Sequence, residues 1–84
     1  MFVAEVVVTL KPVVNDPQGL AVTQGLHALG YVEVMESRVG KQVQLRLSAA
    51  DRGQAEARVD EMCQRLLCNG VIEDYRFRLD EEAS

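Results

Sequence analysis

Along residues 2–10 the chain alternates. Phe2, Ala4, Val6, Val8 and Leu10 fall on one side, Glu5 and Thr9 on the other, the period of two that predicts a strand with one buried face. A loop follows, KPVVN, and then Leu20, Ala21, Val22, Gly25, Leu26, Ala28 and Leu29 share one broad side of a helix that stops at Gly30. Residues 32–39, VEVMESRV, predict a strand that is apolar on both faces, with Val32 and Val34 on one and Met35 and Val39 on the other. Gly40-Lys41 then reads as a two-residue hairpin turn, and Val43, Leu45 and Leu47 alternate with Gln42, Gln44 and Arg46 in a third strand. In the second helix Ala55, Val59, Met62, Cys63, Leu66 and Leu67 recur at helical spacing. Asp51, with Gln54 three residues on, caps its start, and Asn69-Gly70 supplies its stop. A last strand is expected from about Val71 to Leu79, with Tyr75 and Phe77 on its apolar face.

The order is βαββαβ, the split arrangement of ferredoxin-like α+β folds: a four-stranded antiparallel sheet with both helices on one face. One domain is expected over residues 1–79, followed by a short, solvated acidic tail at residues 80–84. A chain of 84 residues has a thin core, and folds of that size commonly recruit disulfides, a structural metal or a partner subunit. Cys63 and Cys68 lie five apart in the second helix, roughly 140° around the axis, so their side chains diverge and should not pair. There is no CxxC pair, and the one histidine, His27, is remote in sequence, so no zinc set is expected. By elimination a partner subunit is the remaining support.

Charge narrows the partners. A net charge of −4 and a pI near 4.8 argue against nucleic acid and anionic membranes, which need a clustered cationic surface. The apolar start MFVAEVVVTL carries Glu5 in its middle and no basic leader, so it reads as a strand rather than a signal or a span. Two unpaired cysteines suit a reducing cytoplasm.

No catalytic set emerges. His27 sits on a helix flank with no nucleophile or acid at a spacing that forces contact. Glu36 and Arg38 share a face of the expected strand and can pair with each other. There is no nucleophile elbow and no phosphate-cradling glycine loop. The strand VQLRL lacks the exposed rings of an RNA-recognition sheet, and the loop KPVVNDPQG lacks both the cysteines of a metallochaperone and the arginine of an acyl phosphate hydrolase, offering only Lys11. A small-molecule regulatory module, with ligand held between subunits, stays open. In the opening loop Asp16 caps the helix and Pro17 occupies its first position; Asp16 also fills the positive helix end that a phosphate would need. Capping leaves Gly19 and the length of the loop Lys11–Asn15 unexplained. A close backbone approach by another chain would explain both.

Four segments together resemble the PurS family, the small subunit of phosphoribosylformylglycinamidine synthase. They are KPxVxDPQG (Lys11, Pro12, Val14, Asp16, Pro17, Gln18, Gly19), HALGYxEV (His27 to Val34), SRVGK (Ser37 to Lys41) and CQRLLCNGVIEDYRF (Cys63 to Phe77). Asn69-Gly70 stands where relatives commonly have Asn-Pro, and both stop a helix. The resemblance implies a cytoplasmic, PurS-like accessory subunit with no chemistry or cofactor of its own in de novo purine biosynthesis. Such a subunit self-associates as a dimer or tetramer and bridges a large synthetase subunit, PurL, which uses ATP and Mg, to a glutaminase subunit, PurQ, so that ammonia passes between them. Lys11, Asp16, Gly19, Arg38, Gly40 and Lys41 are the expected partner-interface residues, because loops carry more costly and charged residues than capping needs, while the second helix is expected to be buried in this subunit's own core.

Overall fold

The computed structural model describes residues 1–82. Strand β1 (Phe2–Leu10) is the centre of a three-stranded antiparallel sheet, flanked by β2 (Lys41–Leu47) and β3 (Glu73–Glu81) in the order β2-β1-β3. The register follows the sequence alternation: Val6 lies opposite Val43 on one side and Phe77 on the other, and Ala4 opposite Leu45 and Leu79. Phe2, Ala4, Val6 and Val8 are therefore buried on one face with Leu79, and Val43, Leu45, Leu47, Tyr75 and Phe77 border them.

That face is covered by helix α2 (Arg52–Met62), which contributes Ala55 and Val59 to the core. The Asp51 carboxylate accepts the Gln54 N–H at 2.8 Å, and Gln54 Oε1 accepts the Ala50 N–H at 2.6 Å. Both halves of the expected capping box are present, the second displaced by one residue. The Arg52 guanidinium donates to the Leu79 carbonyl at 2.9 Å, and the Tyr75 hydroxyl donates to Asp60, so both ends of α2 are tied to β3.

The helix does not run on to Asn69. It widens into a π turn over Cys63–Leu67, closed by the Cys68 N–H on the Cys63 carbonyl at 2.9 Å. The extra residue per turn rotates the following side chains. Cys63 and Cys68 are both buried and both free, whereas Leu66 is 83% exposed and Met62 is also exposed, so the second helix is less buried than its spacing implied. Asn69 makes the stop: its carbonyl accepts from Ile72 and Glu73, and its side chain from Val71.

Helix α1 (Pro17–Ala28) ends as expected at Gly30, at φ 98°, the one positive-φ glycine among the described residues. It adds nothing to the core. The expectation of two helices on one sheet face is thus corrected to one, and that of four strands to three. Residues 31–40 form no strand, and Val32 and Met35 are largely exposed. One backbone donor of this segment, the Val39 N–H, is taken by the Asp16 carboxylate. The Gly40-Lys41 hairpin is likewise not formed: Lys41 is already the first residue of β2, opposite Val8. At the other end Asp80 and Glu81 belong to β3, and Glu82 pairs with Arg46 at 2.7 Å, so these residues are strand and strand edge rather than tail. Residues 83 and 84 of the expected tail lie outside the described residues. The radius of gyration is 16.5 Å and the extents are 50 × 30 × 14 Å, against about 12 Å for a compact domain of this length.

Candidate functional site

The DPQG segment is the hub of the loops. Asp16 caps α1 by accepting the Gly19 N–H at 2.9 Å, and its second oxygen accepts the Val39 N–H at 2.8 Å. The Arg38 Nε lies 3.9 Å from the same carboxylate. The Val39 and Gly19 donors hold the Asp16 carboxyl below the usual range; burial opposes this, and Arg38 adds to it. Pro17 occupies the first position of the helix.

Gly19 faces the same crossing strand of chain. A Cβ there would lie 2.1 Å from the Ser37 carbonyl oxygen and 2.7 Å from Asp16 Oδ2. The close approach anticipated from another chain is made here by Ser37. One turn on, the Thr23 hydroxyl lies 3.2 Å from the Gly19 carbonyl and 2.8 Å from Ser37 Oγ. Arg38 does not pair with Glu36; its Nη2 donates to the Lys11 and Val14 carbonyls, each at 3.0 Å.

Asp16, Gly19 and Arg38 are therefore brought together as a clamp that fastens residues 37–39 across the start of α1 and the loop before it. Lys11 is held by its carbonyl and by its ammonium, which pairs with Asp74 at 2.7 Å. Gly40 lies against β1, where a Cβ would meet the Val8 carbonyl oxygen at 2.4 Å. Lys41 alone of the six expected interface residues is exposed with no hydrogen bond or ion pair of its side chain among the described residues. The clamp also presents a tip, where Val13 is 92% exposed beside Pro12.

The groups that carry chemistry elsewhere are placed as follows. Burial pushes the Cys63 thiol up, with Asp60 adding to the effect, and pushes the Cys68 thiol up, with Glu73 and Asp74 adding. His27 Nε2 lies 2.8 Å from the Val34 carbonyl. Among the described residues no group of three or more His, Cys, Asp or Glu is gathered as a metal cluster would be.

Periodicity did not reveal the open side of α1. The helix sequence PQGLAVTQGLHA carries no Asp, Glu, Lys or Arg, yet Leu20, Val22 and Leu29 are exposed. The missing charges were the signal that could have found it.

The whole chain has close relatives. Residues 3–81 match the family model described as PurS: Phosphoribosylformylglycinamidine (FGAM) synthase. The phosphoribosylformylglycinamidine synthase subunit PurS of Bacillus subtilis (strain 168) is 46% identical over 81 residues, 96% of this chain and 95% of that protein. The solved structure of Thermus thermophilus PurS superposes with a TM-score of 0.89 at 36% identity, covering 98% of both chains. A chain of the PurLQS structure from Thermotoga maritima superposes with a TM-score of 0.85 at 27% identity, covering 95% of this chain and 99% of that one. Matched by the family model over residues 3–81 and 46% identical to a relative over 96% of its length, this chain belongs to the PurS family of phosphoribosylformylglycinamidine (FGAM) synthase.

Proposed function

We propose that the chain is a non-catalytic accessory subunit of an ATP-dependent phosphoribosylformylglycinamidine synthase in de novo purine biosynthesis. It holds a glutaminase subunit, PurQ, in register with a synthetase subunit, PurL, so that ammonia passes between them. ATP and Mg are used by the synthetase subunit, and the chain itself acts as a homo-oligomer in the cytoplasm. The observation that carries this reading is the likeness over nearly its whole length to a chain of the Thermotoga PurLQS structure. No helix among the described residues is long and apolar enough to cross a membrane. The order β2-β1-β3, with α2 over β1 and β3, supports a variant of the ferredoxin-like frame.

The partner surface in this reading is the end of the molecule set by Lys11, Asp16, Gly19, Arg38, Gly40 and Lys41. Five of these fix the shape of the loop through the bonds and close approaches above, and Lys41 meets the partner directly. A loop held by its own backbone loses little conformational freedom on binding, which favours association. To test it, the three subunits are reconstituted and turnover is compared with glutamine and with added ammonia, with and without this chain. Glutamine-dependent turnover should need the chain, while ammonia-dependent turnover should not. The Lys41→Glu variant should keep its circular dichroism and lose co-elution with the other subunits; equal co-elution would remove Lys41 from the surface.

A further inference from the structure

The corner between the π turn and β3 is built on one residue. Asn69 donates its N–H to Glu73 Oε1 at 2.7 Å, and its carbonyl accepts from the Ile72 and Glu73 N–H groups at 3.1 and 2.8 Å. Its side-chain Oδ1 accepts from the Val71 N–H at 3.1 Å. Gly70 is left out of these bonds: among the described residues its N–H has no acceptor. Asn69 and Gly70 are exposed, Val71 is 82% exposed, and a Cβ at Gly70 would meet nothing within 4 Å. A backbone amide with no acceptor and no side chain over it is open to water and base.

The bond from Val71 prepares the neighbouring group. It folds the Asn69 side chain back over its own backbone. It also sets a donor on Oδ1, the oxygen where negative charge would develop if a nucleophile attacked Cγ. The nitrogen next along the chain belongs to glycine, which has no Cβ to obstruct that attack. Asn15, the other asparagine of the chain, is followed instead by Asp16, whose side chain is buried.

We propose that Asn69 is a site of spontaneous deamidation, with the Gly70 nitrogen as nucleophile and water as the only co-reactant. The Gly70 N–H gives its proton to solvent base and its nitrogen bonds to Asn69 Cγ. The Cγ–Nδ2 bond breaks, and Nδ2 takes up a proton and leaves as ammonia, which closes a succinimide ring. Water then opens the ring at either carbonyl. One product is aspartate; the other is isoaspartate, in which the main chain runs through Cβ and Cγ. In the isoaspartyl product the carbonyl that served Ile72 and Glu73 becomes a pendant carboxylate, in the same turn as the carboxylate of Glu73. The Ile72 carbonyl accepts the Lys11 N–H at 2.8 Å, so the lengthened corner loosens its hold on Lys11. The proposal stands on this corner alone and does not depend on the accessory-subunit reading.

The full chain is incubated folded at mildly alkaline pH, in parallel with chain held unfolded in denaturant, then digested and read by mass spectrometry. A gain of one dalton confined to residue 69 is expected, with isoaspartate detected by methylation with protein isoaspartyl methyltransferase, at a folded rate within about tenfold of the unfolded rate. Slower conversion than that in the folded chain, or conversion at Asn15 in its place, would overturn the proposal. Gly70→Ala has room for its Cβ and should keep its circular dichroism while converting about tenfold more slowly. An unchanged rate, or aspartate without isoaspartate, would show that the Gly70 nitrogen is not the nucleophile. In the isoaspartyl fraction the Lys11 amide should exchange with solvent faster than in fresh protein; equal exchange would sever the corner from Lys11.

Discussion

The carboxylate of Asp16 receives the backbone N–H of Val39 at 2.8 Å, 23 residues further along the chain. One side chain thus caps a helix and diverts the segment that would otherwise extend the sheet. It also makes the clamp sensitive to acid. The Asp16 carboxyl titrates below its ordinary value in the folded chain, so the stability it adds is present above the unfolded value of about 3.9. That stability is lost as pH falls through the lower folded value. The denaturant midpoint of the wild type should fall relative to that of Asp16→Asn as pH drops below about 4. Parallel curves would show that the clamp does not depend on the charge. At neutral pH the Asp16→Asn variant should also exchange the Val39 amide faster, as read by hydrogen exchange.

Glycines 19 and 40 should not tolerate a methyl group. Their Cβ atoms would lie 2.1 Å from the Ser37 oxygen and 2.4 Å from the Val8 oxygen, both backbone atoms that yield only by moving chain. Gly19→Ala and Gly40→Ala should each cost about 1–3 kcal/mol. At Gly70 a Cβ meets nothing within 4 Å, and Gly70→Ala should change stability by less than about 0.5 kcal/mol. Chemical denaturation of the three variants checks the contrast.

Two apolar positions on the same helical run should behave oppositely. Val59 is fully buried on the inner side of α2, and Val59→Ala should destabilise by about 2 kcal/mol through lost burial and a residual cavity. Leu66 is mostly exposed in the protomer. Leu66→Ala should leave the secondary structure unchanged and shift the stability read by chemical denaturation by less than about 0.5 kcal/mol, as a surface truncation does.

The thiols of Cys63 and Cys68 should be slow to react. Both are buried, and burial raises both above the ordinary thiol value, so little thiolate forms and reagent must await opening. At pH 8 the native protein should react with a thiol reagent slower than the denatured chain by about two orders of magnitude. Equal rates would place the cysteines outside the core.

Much of this molecule was legible because it is local chemistry. The alternation of Phe2 to Val8 predicted the buried face of β1, since a strand has two sides and one is covered by α2. Asp16 with Pro17, and Asp51 with Gln54, marked both helix starts because a cap needs only residues within one turn. The resemblance carried by four segments also led to the family. The π turn was not legible: a five-residue return looks like helix in sequence, and it is what turns Leu66 outward and Cys68 inward.

By itself the sequence determined where strands and helices begin, which face of β1 is apolar, and to which family the chain belongs. Only the tertiary structure decided that residues 31–40 leave the sheet and that α1 stands clear of the core. A period-two pattern states that a segment has two faces but does not name its neighbour. In this chain the Val39 N–H goes to Asp16, the Arg38 guanidinium to the Lys11 and Val14 carbonyls, and Gly40 to the backbone of β1. Those contacts join residues far apart in sequence, and the bonds of Val39 and Arg38 outweigh a local preference for extended chain because each satisfies a backbone or charged group that a lone edge strand would leave to water.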